Sequence, residues 1–206
     1  MSNILISLNG ECSIERNQLQ SEYQLIFGVD GGTEFLYKLF LQPDRIIGDF
    51  DSIDDNTKKR ALRDGAEISA FSSDKDKTDL EIALGIAKEN NASDITIIGG
   101  EGKELDHLFA NLLTLSSFHS TEEIKWITKL ETIIFSKKNY FKLKKNTVFS
   151  ILPLSNIKNL SIKGAKWEIK NEEIPYGSTK TLRNISLDDK IFIDATNGKY
   201  CLIVKN

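Results

Sequence analysis

Residues 43–52 read Pro-Asp-Arg-Ile-Ile-Gly-Asp-Phe-Asp-Ser, from Pro43 to Ser52. Arg45–Gly48 is a short apolar run of strand length, with Pro43 before it and acidic, turn-forming residues after it. A strand that runs straight into Asp49 and Asp51 puts charge at its carboxyl end, where open α/β sheets hold their ligands. Working outward, the same punctuation recurs. Asn3–Leu8, Gln24–Asp30, Ala66–Phe71, Ile95–Ile98, Lys125–Thr128 and Thr132–Ser136 are further strand candidates. Between them, Thr33–Leu41, Asp54–Asp64, Thr78–Glu89 and Leu105–Phe118 carry helical spacing. Leu80, Leu84 and Ala87 share one helix face, and Leu105, Leu108, Leu112 and Leu115 form one stripe. Strands alternating with helices predict an α/β fold: a Rossmann-like, mostly parallel sheet with flanking helices.

The texture changes near Ser136. Residues 1–136 hold 24 acids and 13 Lys/Arg, a net of -11, whereas residues 137–206 hold 6 and 14, a net of +8. The second part reads as short strands at Tyr140–Leu143, Val148–Leu152, Leu160–Lys163, Lys166–Ile169, Ile191–Ala195 and Tyr200–Val204, with Asn197-Gly198 as a two-residue hairpin turn. Many short strands without crossover helices predict a C-terminal antiparallel β-sandwich. The expected domains are therefore 1–136 and 137–206. Trp167, in an alternating strand, is expected in the core or at an interface.

The whole chain of 206 residues carries a net charge of -3, which gives no overall pull towards nucleic acid or an anionic membrane. The lysines of the second part fit the solvent face of alternating strands, and aromatics are not interleaved with them for base stacking. No apolar run approaches the ~20 residues that span a bilayer. Two cysteines, Cys12 and Cys201, are too few for a zinc cluster and read as reduced structural thiols. A cytoplasmic protein without membrane or nucleic-acid partner is the expectation.

The chemistry concentrates at strand ends in the first part. Asp30 meets Gly31-Gly32, where bare backbone can approach a phosphate. Asp49 and Asp51, two apart on an extended backbone, point the same way. Asp79 follows Thr78 at a helix start, and Asp106 opens another helix after Gly99-Gly100-Glu101-Gly102. Each feature alone has an ordinary structural reading, a cap or a turn. Together, converging carboxylates raise one another's pKa, and a hard dication such as Mg²⁺ relieves the conflict. Helix N-termini supply N–H donors for phosphates. The set predicts Mg-nucleotide phosphotransfer, although neither a Walker A motif nor a G-x-G-x-x-G fingerprint is present. His119, at a helix end, reads as a surface or cap residue.

Val29-Asp30-Gly31-Gly32, the run Pro43–Ser52, Asp76-Lys77-Thr78-Asp79 and Leu105-Asp106-His107 with Ala110-Asn111 resemble thiamine pyrophosphokinase. Leu152-Pro153-Leu154, Gly164–Ile169 and Asn184 are similar to that family's C-terminal sandwich. The resemblance implies transfer of pyrophosphate from ATP to thiamine, with Mg²⁺, on a homodimer; the second part, marginal alone at about 70 residues and opposite in net charge to the first, is expected to bind thiamine and carry the dimer contact. It implies Asp30, Asp49, Asp51, Asp79 and Asp106 as the acidic metal and phosphate site, Lys75 and Thr78 beside the triphosphate, and Asn184 on the thiamine side. Three positions depart from the pattern. Glu104 stands where the family has Arg, with Lys103 as the candidate replacement cation. Arg183 stands for Ser, and Leu202, near Tyr200, for a ring-stacking aromatic. Alternatives are another alcohol, such as a pterin, as acceptor, or a non-catalytic nucleotide or metal sensor.

Overall fold

The computed structural model describes residues 2–71, 76–102, 104–118 and 123–206. The chain forms two compact units, Met1–Lys129 and Leu130–Asn206. The division falls before the expected one at Ser136, because the strand at 131–135 pairs with the last strand of the chain.

The first unit runs β1 (Ser2–Leu8), a 3₁₀ turn (Arg16–Gln18), β2 (Leu25–Val29), α1 (Gly32–Lys38), β3 (Arg45–Gly48), α2 (Asp55–Arg63), β4 (Glu67–Ala70), α3 (Asp79–Glu89), β5 (Ala92–Gly99), α4 (Leu105–Phe118) and β6 (Glu123–Ile127). Its strands lie in the order β6-β5-β1-β2-β3-β4, and every pairing is parallel. From β1 the sheet grows one way through β2, β3 and β4, and the other way through β5 and β6. With right-handed crossovers, that reversal puts α1 and α2 on one face and α3 and α4 on the other. Helix α1 packs on β1, β2 and α2, whereas α3 packs across β1, β2, β3 and β5 and against α4. The face of α3 read from spacing is the buried one: Leu80, Leu84 and Ala87 are covered, as are Ile4, Leu5 and Ile6 of the central strand. Each such leucine contributes about 1.5–3 kcal/mol by leaving water.

Two helices depart from expectation. α1 stops at Lys38 rather than Leu41, because Phe40 turns left-handed at φ 58° and the Leu41 N–H bonds back to Leu36 O at 2.9 Å. That closure satisfies a terminal carbonyl and returns Leu41 to the core. The α4 stripe is buried only at Leu115, while Leu105 stands 68% exposed. No helix among the described residues is long and apolar enough to cross a membrane.

The second unit is a sandwich. One sheet is β12 (Asn184–Ile185), β9 (Val148–Pro153), β14 (Tyr200–Lys205) and β7 (Glu131–Phe135), in that order. The other is β11 (Ile169–Ile174), β10 (Ile157–Lys163), β13 (Lys190–Asp194) and β8 (Tyr140–Lys142). All pairings are antiparallel. Phe149, Ile151 and Leu202 from one sheet meet Leu160, Ile162 and Ile193 from the other in a single core. Asn197-Gly198 is not a hairpin turn, since β13 and β14 belong to different sheets. It is a crossover loop pinned to Lys158 by two main-chain hydrogen bonds. The strand expected at Lys166–Ile169 lies instead at Ile169–Ile174, and Trp167, outside it, is 53% exposed rather than in the core.

Candidate active site

Three loops at the carboxyl ends of neighbouring parallel strands build the acidic site. β2 ends at Val29 and delivers Asp30, whose main chain is left-handed at φ 45°. Its N–H donates to Ile47 O at 2.9 Å, and its Oδ1 accepts the Phe50 N–H at 3.1 Å. β3 ends at Gly48, φ 144°, and a Cβ there would stand 1.8 Å from Asp30 Oδ1. Only glycine leaves room for the Asp30 carboxylate, a requirement that the sequence reading passed over.

Asp49 and Asp51 do converge, though not by strand alternation. Phe50 between them is left-handed at φ 66°, and the Asp51 N–H donates to Asp49 Oδ1 at 3.2 Å. The turn replaces the extended backbone that had been expected. Phe50 is held by the small cluster of Ile46, Ala61 and Ala66, with Lys58 Nζ 4.2 Å from its ring centroid. Carboxylate oxygens of Asp30, Asp49 and Asp51 lie within 4.8 Å of one another.

Asp79 joins them from the first turn of α3, where its carboxyl shares a hydrogen bond with that of Asp30. Burial first, then the charges of Asp79 and Asp49, push the Asp30 carboxyl up to about 7, against the pull of the Phe50 N–H. Four carboxylates brought this close form a donor set of hard oxygens. That set fits Mg²⁺, whose charge would remove the conflict.

Other expected residues stand differently. Thr78 caps α3: its Oγ1 accepts the Glu81 N–H at 3.2 Å, and the Glu81 side chain accepts the Thr78 N–H at 2.8 Å. Its chemistry is thus spent on the capping box that positions Asp79. Gly31 and Gly32 are buried, and protein fills the room their missing side chains leave. A Cβ on Gly31 would meet Asn9 Oδ1 at 2.6 Å, and one on Gly32 would meet Ser7 O at 2.2 Å. Asp106 is exposed and accepts the N–H of His107. Its carboxylate lies with Glu104 and His107 in a separate group and is not brought to the Asp30 cluster. Lys75, Lys103 and His119 lie outside the described residues.

A groove of about 570 Å³ opens beside the ends of β1 and β5, lined among others by Asn9, Glu11, Gly100, Glu101 and Asn111. It sits where the sheet reverses direction of growth, the place where such sheets bind ligands. Asn9 ties it to the acidic loops by donating to Ser52 Oγ at 3.1 Å. Polar residues after β1 were the missed signal here.

In the second unit, a groove of about 830 Å³ is lined by Lys166, Trp167, Arg183 and Asn184, among others. Asn184 is buried, and its amide is committed to the main chain. Oδ1 accepts the Trp167 N–H at 3.1 Å and the Ile185 N–H at 2.9 Å, and Nδ2 donates to Trp167 O at 2.7 Å. These three bonds hold the main chain of the Trp167 segment in place. Leu202 is fully buried in the sandwich core and offers no stacking surface, so Trp167 is the aromatic of this groove.

Two family models match the chain. The one described as thiamin pyrophosphokinase, catalytic domain, matches residues 16–127, and the one described as thiamin pyrophosphokinase, vitamin B1 binding domain, matches residues 131–200. The chain belongs to the thiamin pyrophosphokinase family. Thiamine pyrophosphokinase of Bacillus subtilis is 31% identical over 168 residues, 79% of this chain and 78% of that one. A crystal structure of the Bacillus subtilis enzyme superposes with a TM-score of 0.87 at 26% identity, covering 99% of both chains. That of the Geobacillus thermodenitrificans enzyme gives 0.85 at 26% identity, covering 99% of this chain and 97% of that one. The acidic cluster falls within the catalytic match, and the Trp167 groove within the vitamin B1 binding match.

Proposed function

We propose that this chain is an ATP-dependent pyrophosphotransferase that forms thiamine diphosphate and AMP. The observation that carries the reading is the convergence of Asp30, Asp49, Asp51 and Asp79 in a chain whose two units match the two domains of one family. The thiamine hydroxyl oxygen bonds to the β-phosphorus, the bond from that phosphorus to the α-phosphate oxygen breaks, and AMP leaves. The hydroxyl proton passes to a carboxylate of the cluster. Asp30, Asp49, Asp51 and Asp79 would hold Mg²⁺, which when bound neutralises phosphate charge and orients the triphosphate. The groove at β1 and β5 suits the nucleotide, and the Trp167 groove suits the acceptor ring, whose positive charge an indole face attracts. Phosphoryl-type transfer needs positioning more than covalent help, which fits a site made of carboxylates on rigid strand ends.

The reading carries with it a cytoplasmic homodimer. Cys12 and Cys201 stand as free thiols, in keeping with a reducing compartment. The deciding assay is AMP release from Mg-ATP with thiamine or a pterin alcohol as acceptor. Thiamine-dependent AMP is expected, and turnover of the pterin alone, or of neither, would overturn the reading. Asp49→Asn and Asp51→Asn should each lower kcat at least a hundredfold while keeping the wild-type melting profile. Full turnover in either variant, or in excess chelator, removes the metal role.

A further inference from the structure

The acceptor groove of the second unit already contains a cation. Lys166 Nζ lies 4.7 Å from the centroid of the Trp167 ring, within the distance at which an aromatic face attracts positive charge. The segment carrying both residues lies between strands and is anchored by its main chain. Lys166 N–H donates to Ile185 O at 2.8 Å, and Trp167 is clamped through both N–H and C=O by the Asn184 amide. The indole is therefore fixed, while the ammonium rides on a flexible side chain at an exposed position. Neither acid of the groove claims it. Glu168 Oε1 accepts the Gly164 N–H at 2.8 Å, and Glu172 pairs with Lys180. Among the described residues Lys166 has no carboxylate partner.

We propose that Lys166 is a resident cation on the Trp167 platform that a positively charged acceptor ring must displace, so that it sets the groove's affinity for cationic rings. The inference rests on the reading that this groove takes thiamine. A thiazolium over the indole gains the attraction that the ammonium already has, and two cations on one face repel. The exchange therefore lowers the net gain of a cationic ring. A neutral ring must also move the ammonium off the face before it stacks, but it meets no repulsion from the displaced charge. Lys166 thus acts on specificity, narrowing the margin by which the platform prefers a charged ring over a neutral one.

Calorimetric titration of the intact protein, without ATP, tests this with two probes: thiamine, and the neutral thiazole alcohol that corresponds to its reacting ring. Lys166→Ala should tighten thiamine about two- to fivefold, the range expected for one exposed cation–π contact, and tighten the neutral thiazole by less. Lys166→Arg should keep wild-type selectivity. Unchanged or weaker thiamine binding in Lys166→Ala, or an equal gain for both probes, overturns the proposal. Trp167→Ala separates the two levels. If it abolishes thiamine binding while Lys166→Ala fails, the displacement idea alone falls. If it binds thiamine as the wild type does, the platform reading falls and the proposal with it. Tryptophan fluorescence provides a second readout, because the only other tryptophan, Trp126, is buried in the first unit.

Discussion

Asp30 concentrates the electrostatic strain of the molecule. Its carboxyl moves from an ordinary 3.8 in the unfolded chain to about 7 in the fold, chiefly through burial and then through Asp79 and Asp49. A raised folded pKa means that the stability linked to this group is fully present below about pH 4 and is lost as pH rises through 7. Metal-free protein should therefore melt at lower temperature at pH 8 than at pH 5, and Mg²⁺ should recover more at pH 8. Asp30→Asn removes the charge and tolerates the left-handed backbone. It should stabilise the metal-free protein at pH 8 by about 1–2 kcal/mol, or about 2–8 °C in Tm, while abolishing the Mg²⁺ effect. Melting curves at the two pH values check this, and a variant no more stable than wild type at pH 8 contradicts it. Residue-scale features of this kind were only half legible in the sequence. The carboxylates announced themselves by type and position. That Gly48 makes the room for Asp30, and that Phe50 bends the loop, depends on close approaches between segments about twenty residues apart, which no local pattern records.

Helix α3 owes its register to its start. Thr78 and Glu81 close a capping box, so Asp79 enters the cluster from the first turn. Thr78→Ala should cost about 1 kcal/mol of stability and raise the Mg²⁺ concentration needed for half-maximal activity, whereas Thr78→Ser should restore both. Thermal melts and a Mg²⁺ titration decide, and a loss of stability without any change in Mg²⁺ response would separate the cap from the site. Elements with such local signals were readable: Asp54 and Thr78 mark α2 and α3, and alternation marks β9 and β13. Elements fixed by distant partners were not. β12 is two residues long and exists by pairing with β9. The Lys166-Trp167 segment has strand composition, yet Asn184 claims its main-chain groups. Asn197-Gly198 has hairpin chemistry, but its flanking strands go to different sheets. Asn184 drew notice only through the family resemblance; its role in holding the Trp167 main chain depends on a partner 17 residues away, which residue type does not reveal.

At the scale of the molecule, the proposed homodimer needs an apolar surface. Leu105, Phe109 and Leu113, at helical spacing on one face of α4, stand 68%, 59% and 58% exposed. The sandwich exposes Tyr140 and Phe192, paired across β8 and β13 with the charge of Lys190 beside Tyr140, and elsewhere Trp167, Tyr176, Leu182 and Leu187. We propose the stripe on α4 as the contact, an alternative to the sandwich face expected from charge and size, because its three large apolar side chains share one helix face. Phe109→Glu should convert dimer to monomer in light scattering at micromolar concentration, and Phe192→Glu should not; the reverse result returns the contact to the sandwich. The parallel sheet has a further consequence, which concerns how the chain is made rather than how it works. The central strand β1 pairs with β2 soon after it is synthesised, but its other neighbour is β5, where Ser2 meets Ala92. At about 5–20 residues per second, translation takes roughly 5–20 s to deliver that partner. Throughout that interval the apolar strand Ile4-Leu5-Ile6 presents an open edge on the ribosome-bound nascent chain, a template for intermolecular pairing. Folded yield in a cell should therefore respond to translation speed and chaperone supply during that window, and not to the stability of the finished sheet alone.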